Sequence, residues 1–314
     1  MSALICGSMA FDTIMVFSGQ FKNEILPDKV HILNVSFLVP KLRREFGGTA
    51  GNIAYNLNLL GGEALPMATI GHDFGAYAEW MDQHKISREF LKVVPDTYTA
   101  QAYITTDMDD NQITAFHPGA MSFAHTQNIV KKSSRGAIKI GTVSPDGRDG
   151  MIQHAAQFAD AGIPFIFDPG QGLPMFTGDE LKDFINKASY VAVNDYESEI
   201  IMSRTGWTLK QIAERVDALI VTSGGKGSHI FAKNKVYEIP CARANSLADP
   251  TGCGDAYRGG LLYGLLRGLD WDTTGRVASL IGAIKIERPG PQNHSFTMEQ
   301  FRARFKKEFR YDLL

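Results

Sequence analysis

DPTGCGDAYRGGLL, residues 249–262, is a glycine-punctuated loop that runs directly into an apolar-periodic helix. Small residues around Cys253 let the backbone N–H groups of Gly252, Cys253 and Gly254 point outward, and a helix start adds roughly half a positive charge. Such a terminus holds phosphate. Asp255 in the first turn could simply complement the helix dipole. An ordinary capping acid needs no glycine loop, however, whereas a carboxylate that must reach a substrate hydroxyl beside a phosphoryl group needs close backbone approach on both flanks. Asp255 is therefore the candidate general base, with the three preceding amides as an anion hole and positioning as the main source of rate.

Upstream of this loop, β-branched runs alternate with amphipathic stretches from about residue 136: 138–143, 149–161, 164–167, 179–188, 190–193, 195–205 and 216–222. That alternation predicts a parallel, doubly wound sheet wrapped by helices. A hairpin follows through 229–231 and 236–239, then helices near 255–268, 273–287 and 297–309. The first 120 residues differ, because the strand-like pieces 11–17, 34–39, 99–107 and 112–117 are separated by turns and predict a small separate sheet. Helices near 52–60 and 77–83 belong to the larger unit.

Composition bounds the partners. Thirty-two Lys and Arg against 34 Asp and Glu give a net charge of -2, with no field to attract nucleic acid or an anionic membrane. Three cysteines without CxxC spacing argue against a disulfide framework or a zinc site. The opening MSALICGSMAFD lacks a basic region and reads as a buried strand, and no apolar run reaches the ~18 residues that span a bilayer. A cytoplasmic protein acting on small molecules, as monomer or homodimer, is the expectation.

Three further clusters bear on ligands. In FGGTAGN, residues 46–52, Gly47 and Gly48 permit a turn against a ligand, and Asn52 offers donor and acceptor to a vicinal diol. Asp12 follows the first strand and could take sugar hydroxyls, with Ser8 nearby, although an acid there is often only a turn residue. In VTSGGKGS, residues 221–228, neither GxxxxGK[ST] nor GxGxxG is satisfied, yet Thr222, Ser223, Gly225 and Gly227 can present hydroxyl and amide groups to a triphosphate. Asn194 and Glu197 could form a capping box, or meet phosphate and order the water around Mg²⁺; both can hold at one strand end.

FGGTAGN with its helix, NDYE, TSGGKGS and DPTGCGDAYRGG, in this order, resemble the motifs of the ribokinase, or PfkB, carbohydrate kinase family over essentially the whole chain. The resemblance implies a three-layer α/β/α sandwich with a mainly parallel sheet and a small β lid, formed by segments near 11–46 and 97–119 of a single 1–314 domain. It also implies ATP and Mg²⁺ as co-reactants and a primary alcohol as acceptor. Many members bind a monovalent cation such as K⁺ before the base; here Asp249 and Thr251 would hold it, with Gly290 and Ser295 as further ligands, although Pro250 stands where many have threonine. ITAFHPGAM at 113–121, FDPGQG at 167–172 and SFLVPKLRREFGG at 36–48 look like bacterial adenosine or nucleoside kinases, which would place Phe37, Gln101 or Phe116 beside the base. A ribose or fructose kinase is the alternative, and a non-catalytic nucleoside-sensing regulator the third reading.

Overall fold

The computed structural model describes residues 1–25, 32, 34–109 and 111–313, so the part of the expected lid at 26–31 and 33 lies outside the described residues. The first half of the chain forms β1 (Ser2–Cys6), β2 (Ala10–Val16), α1 (Phe21–Glu24), β3 (Lys41–Gly47), α2 (Thr49–Leu59), β4 (Glu63–Ile70), α3 (Gly75–Gln83), β5 (Phe90–Val93), β6 (Ala100–Thr106) and β7 (Gln112–His117). Then follow β8 (Lys132–Ser133), β9 (Gly136–Val143), α4 (Arg148–Ala161), β10 (Phe165–Phe167), α5 (Gly178–Lys187), β11 (Tyr190–Asn194), α6 (Asp195–Thr205), α7 (Leu209–Ala213) and β12 (Ala218–Thr222). The last third holds β13 (Ser228–Ala232), β14 (Lys235–Ile239), α8 (Cys253–Arg267), α9 (Trp271–Ile286) and α10 (Met298–Phe309).

The main sheet runs β14-β13-β12-β11-β10-β9-β1-β4-β5. It is parallel from β12 to β5, and only the hairpin strands β13 and β14 and the short β8 are antiparallel. Side chains alternate across β1: Ala3 and Ile5 enter a core with α2, α3, α8, α9 and α10, while Leu4 and Cys6 enter a second core with α4 to α7. Two cores on opposite faces of one sheet make the three-layer α/β/α sandwich that the motifs implied. Helix α8 is buried all round, from Ala256 to Gly264. Gly260 makes this possible, because a Cβ there would lie 2.4 Å from Cα of Ala278 on α9.

Three strands of the main sheet, β4, β5 and the two-residue β8, escaped the sequence reading. Pro66 stands inside β4, where proline argues against a central strand. β5 pairs with β4 only from Met67 onward, so at Pro66 that side of β4 is still an edge. Residues 34–39, expected as a strand, carry no regular structure, and β3 starts at Lys41. Pro40 explains the shift, since it has no amide for the ladder.

β2, β3, β6 and β7 form a separate four-stranded sheet in the order β3-β2-β6-β7. Between β9 and β1 the direction of chain progression reverses, a switch point where the loops after the strands splay apart and open a crevice. Among the described residues no helix is long and apolar enough to cross a membrane.

Candidate active site

The loops at the switch point are stitched together before any ligand group is added. Ser144 N–H donates to the Cys6 carbonyl at 2.9 Å, and Ser8 N–H to the Pro145 carbonyl at 3.1 Å. The Thr49 hydroxyl donates to the same Pro145 carbonyl at 3.0 Å. Ser8 Oγ accepts the Thr49 amide at 3.1 Å and so satisfies a donor at the start of α2. Ser8 is thus buried in the scaffold, and it does not present the substrate-facing hydroxyl expected from the sequence.

Next to this seam opens a cavity of about 550 Å³, lined in part by Thr49, Asn194, Glu197, Thr222, Gly254 and Asp255. It gathers residues from the ends of β9, β10, β11 and β12 around the N-terminus of α8. Gly252 takes φ 80°, and a Cβ there would stand 2.7 Å from Cβ of Pro291, so only glycine fits. The amides of Gly252 and Gly254 have no intrahelical partner. That of Cys253 does not join them as expected, because it donates to the Pro250 carbonyl at 3.1 Å.

Asp255 is held by Asn52, whose Nδ2 donates to Oδ2 at 2.8 Å. Asn52 is in turn fixed by Gln292, whose Nε2 donates to Asn52 Oδ1 at 2.9 Å and to the Tyr77 hydroxyl at 2.6 Å. Trp80 Nε1 donates to Gln292 Oε1 at 3.0 Å, which determines the orientation of both amides. Asn52 was expected to offer its donor and acceptor to a diol, but here it orients the candidate base. Burial pushes the Asp255 carboxyl up to about 7, opposed by the Asn52 hydrogen bond and supported by the negative charge of Asp168. Asp12 adds to the same effect and is itself pushed up to about 6 by burial, with Glu45 and Asp249 contributing.

Gly47 and Gly48 have separate reasons. A Cβ on Gly47 would meet Oδ2 of Asp12 at 2.5 Å, so the glycine leaves room for that carboxylate. Gly48 takes φ 84°, and a Cβ there would run into the Ser8 to Ala10 backbone, 2.5 Å from the Ser8 carbonyl oxygen.

At the end of β11, Asn194 and Glu197 form the reciprocal capping box of α6, with Asn194 Oδ1 accepting the Glu197 amide at 2.7 Å and Glu197 Oε2 accepting the Asn194 amide at 2.8 Å. Both line the cavity, and burial raises the Glu197 carboxyl. Thr222 also lines it, but Ser223, Gly225 and Gly227 do not; Gly224 takes their place. The Ser223 amide donates to the Gly227 carbonyl at 2.8 Å, which closes the turn on itself. Sequence reasoning missed Arg258 and Asp168, a buried pair at 2.8 Å on the cavity wall. Their signal was present in the AYRGG and FDPGQG runs, which only the fold brings together. Among the described residues no three His, Cys, Asp or Glu side chains converge to hold a metal ion directly.

A second cavity of about 480 Å³ is lined by Thr13, Arg44, Asp73, Tyr98, Gln101, Tyr103 and His117. Gln101 is the only one of the three expected base-side residues found there. Its Nε2 donates to Asp73 at 2.9 Å, and its Oε1 accepts the Tyr103 hydroxyl at 2.6 Å. Phe37 packs instead on Phe17 and Phe21, at centroid distances of 4.9 and 5.0 Å. Phe116 lies exposed on β7.

The two-core sandwich and the loop at α8 define a phosphotransferase fold, and comparison with known proteins gives it a family. The chain belongs to the pfkB family of carbohydrate kinases, whose pattern matches residues 15–298, and it is a kinase. A nucleoside kinase of Methanocaldococcus jannaschii is 32% identical over 276 residues, 87% of this chain and 90% of that protein. Burkholderia thailandensis nucleoside kinase in complex with inosine is 53% identical with a TM-score of 0.89, covering 99% of both chains. The structure of the same protein in complex with ADP-inosine has a TM-score of 0.86 at 54% identity, covering 99% of this chain and 97% of that one.

Proposed function

We propose that this kinase transfers the terminal phosphoryl group of ATP to the 5′ hydroxyl of a ribonucleoside, adenosine foremost, with Asp255 as general base. The observation that carries the reading is the Asp255 carboxylate itself. It stands in the cavity wall at the start of α8, oriented by Asn52 and tuned to about 7, where a base works best at neutral pH. The relatives named as nucleoside kinases support the acceptor class, and the ADP and inosine complex supports the pairing of co-substrates.

In this reading Asp255 takes the proton from the attacking hydroxyl while the Gly252 and Gly254 amides, at the positive end of α8, hold the transferring group. Asp12 binds the ribose hydroxyls in the space that Gly47 leaves open. The nucleobase lies in the second cavity, against Tyr98, Gln101 and Tyr103, and the four-stranded sheet acts as the lid that excludes water. Asn194, Glu197 and Thr222 face the triphosphate. The acidic wall fits a hydrated Mg²⁺, which would neutralise phosphate charge, with Glu197 and Asn194 acting through its water. Three free cysteines, Cys6, Cys241 and Cys253, agree with a reducing cytoplasm.

The second cavity favours a nucleoside over a free sugar, which has no base to place there. The test is ATP consumption with Mg²⁺ over adenosine, inosine, guanosine, cytidine, ribose and fructose. Turnover of nucleosides supports the reading. Turnover of sugars alone overturns it in favour of a sugar kinase, and turnover of none of the six overturns it in favour of another acceptor.

A further inference from the structure

The family resemblance implies a monovalent cation at Asp249 and Thr251, ahead of the base, and the residues present do not fit one. Both carboxylate oxygens of Asp249 are engaged: Oδ1 accepts the Thr251 amide at 2.9 Å, and Oδ2 accepts the Gly290 amide at 2.9 Å. Arg43 lies 3.5 Å from the same Oδ2 and already supplies a positive charge. Ser295, a further ligand in that expectation, is exposed.

A cation is nonetheless present, and it belongs to the chain. Lys285, in the last turn of α9, is fully buried. Its Nζ donates to the Asp249 carbonyl at 2.6 Å and reaches the Arg288 carbonyl at 3.4 Å. The backbone amides of Ala248 and Asp249 both donate to the Ile286 carbonyl, at 2.8 and 3.2 Å. The irregular segment leading into the base loop is thereby tied to the negative end of the α9 dipole, with Lys285 bridging the joint. Burial disfavours the charged form and lowers the Lys285 pKa, with the neighbouring Cys253 and Asp249 opposing the shift. Among the described residues no carboxylate forms a direct ion pair with Lys285, so its hydrogen-bonding partners are the carbonyl oxygens that an alkali ion would otherwise seek.

We propose that the Lys285 ammonium is the built-in cation of the base loop, making phosphoryl transfer independent of added K⁺ and holding Gly252 to Asp255 in register with the phosphate. Lys285 touches no reacting atom and acts as a positioning residue. The inference rests on kinase activity and not on the identity of the acceptor.

The experiment compares turnover in choline chloride and in KCl at equal ionic strength, with whichever acceptor the protein phosphorylates, for wild type, Lys285→Met and Lys285→Ala. Wild type is expected to be equally active in both. Lys285→Met, which keeps length and loses charge, should lose on the order of 10²-fold in kcat with KM for the acceptor little changed, because the loop is misplaced. Lys285→Ala should regain activity with K⁺ or methylammonium and not with choline, and K⁺ should raise its Tm while leaving that of wild type unmoved. Activation of wild type by K⁺ overturns the proposal, as does full activity of Lys285→Met, or an alanine variant that responds to K⁺ in neither rate nor Tm. Absence of turnover on every acceptor defeats the assigned reaction instead, and the thermal comparison then decides the role of Lys285 by itself.

Discussion

Asn52 and Asp255, 203 positions apart in the chain, meet at 2.8 Å through Nδ2 and Oδ2. This bond lowers the Asp255 pKa against the burial that raises it to about 7. Replacing Asn52 with Leu removes the donor and leaves only the positive charge of Arg258 to oppose burial. The acid limb of the pH profile of kcat/KM is expected to move upward from about 7, and an unmoved limb would show that another group titrates there.

Asp255→Asn should lower kcat by roughly 10² to 10⁴ while nucleoside binding survives. Stability should change in the opposite sense. The folded carboxyl, near 7 against an ordinary 3.8, keeps its proton where the unfolded one has lost it. The resulting stabilisation is fully present below pH 3.8 and is lost as pH rises through about 7. Asparagine cannot ionise, so the variant should show a higher Tm than wild type at pH 8, measured by calorimetry, and no advantage near pH 4.

Arg258→Met leaves Asp168 buried without its ion partner. A broken buried pair typically costs about 3–5 kcal/mol, and equilibrium urea unfolding should report a loss of that order. Removing both charges, in Arg258→Met with Asp168→Leu, should cost less than the sum of the two single changes. Additive losses would mean that the two side chains do not interact.

Gly48→Ala places a Cβ 2.5 Å from the Ser8 carbonyl oxygen at a backbone φ of 84°. Strain and clash together should cost at least ~2 kcal/mol, read as a lower Tm and a smaller urea midpoint. Gly225→Ala is the control, because nothing lies within 4 Å of its Cβ position and its φ is not positive; it should be near neutral.

What could be read from the sequence were features coded locally. The loop at 249–255, the α6 capping box and the alternation after residue 136 are all written in neighbouring residues. What could not be read depends on partners far along the chain. Gln292 lies in a loop, and nothing near it in sequence shows that it fixes Asn52, 240 positions away. Ser8 and Cys253 do not line the cavity, and their polar groups are turned to the scaffold by Thr49 and Pro250. Phe37, in an irregular segment, packs on Phe17 and Phe21, and Phe116 is exposed on β7; neither environment is revealed by the residues around it.

β1 lies in the middle of the main sheet, bonded to β4 on one side and to β9 on the other. During synthesis the first strand therefore emerges long before its second neighbour, which begins at Gly136, and meanwhile exposes one unpaired side. The nascent N-terminal third is an open template for foreign strands until about half the chain has left the ribosome. The site closes later still, when α8 arrives, so a truncated product ending before residue 253 would carry most of the sheet and no activity.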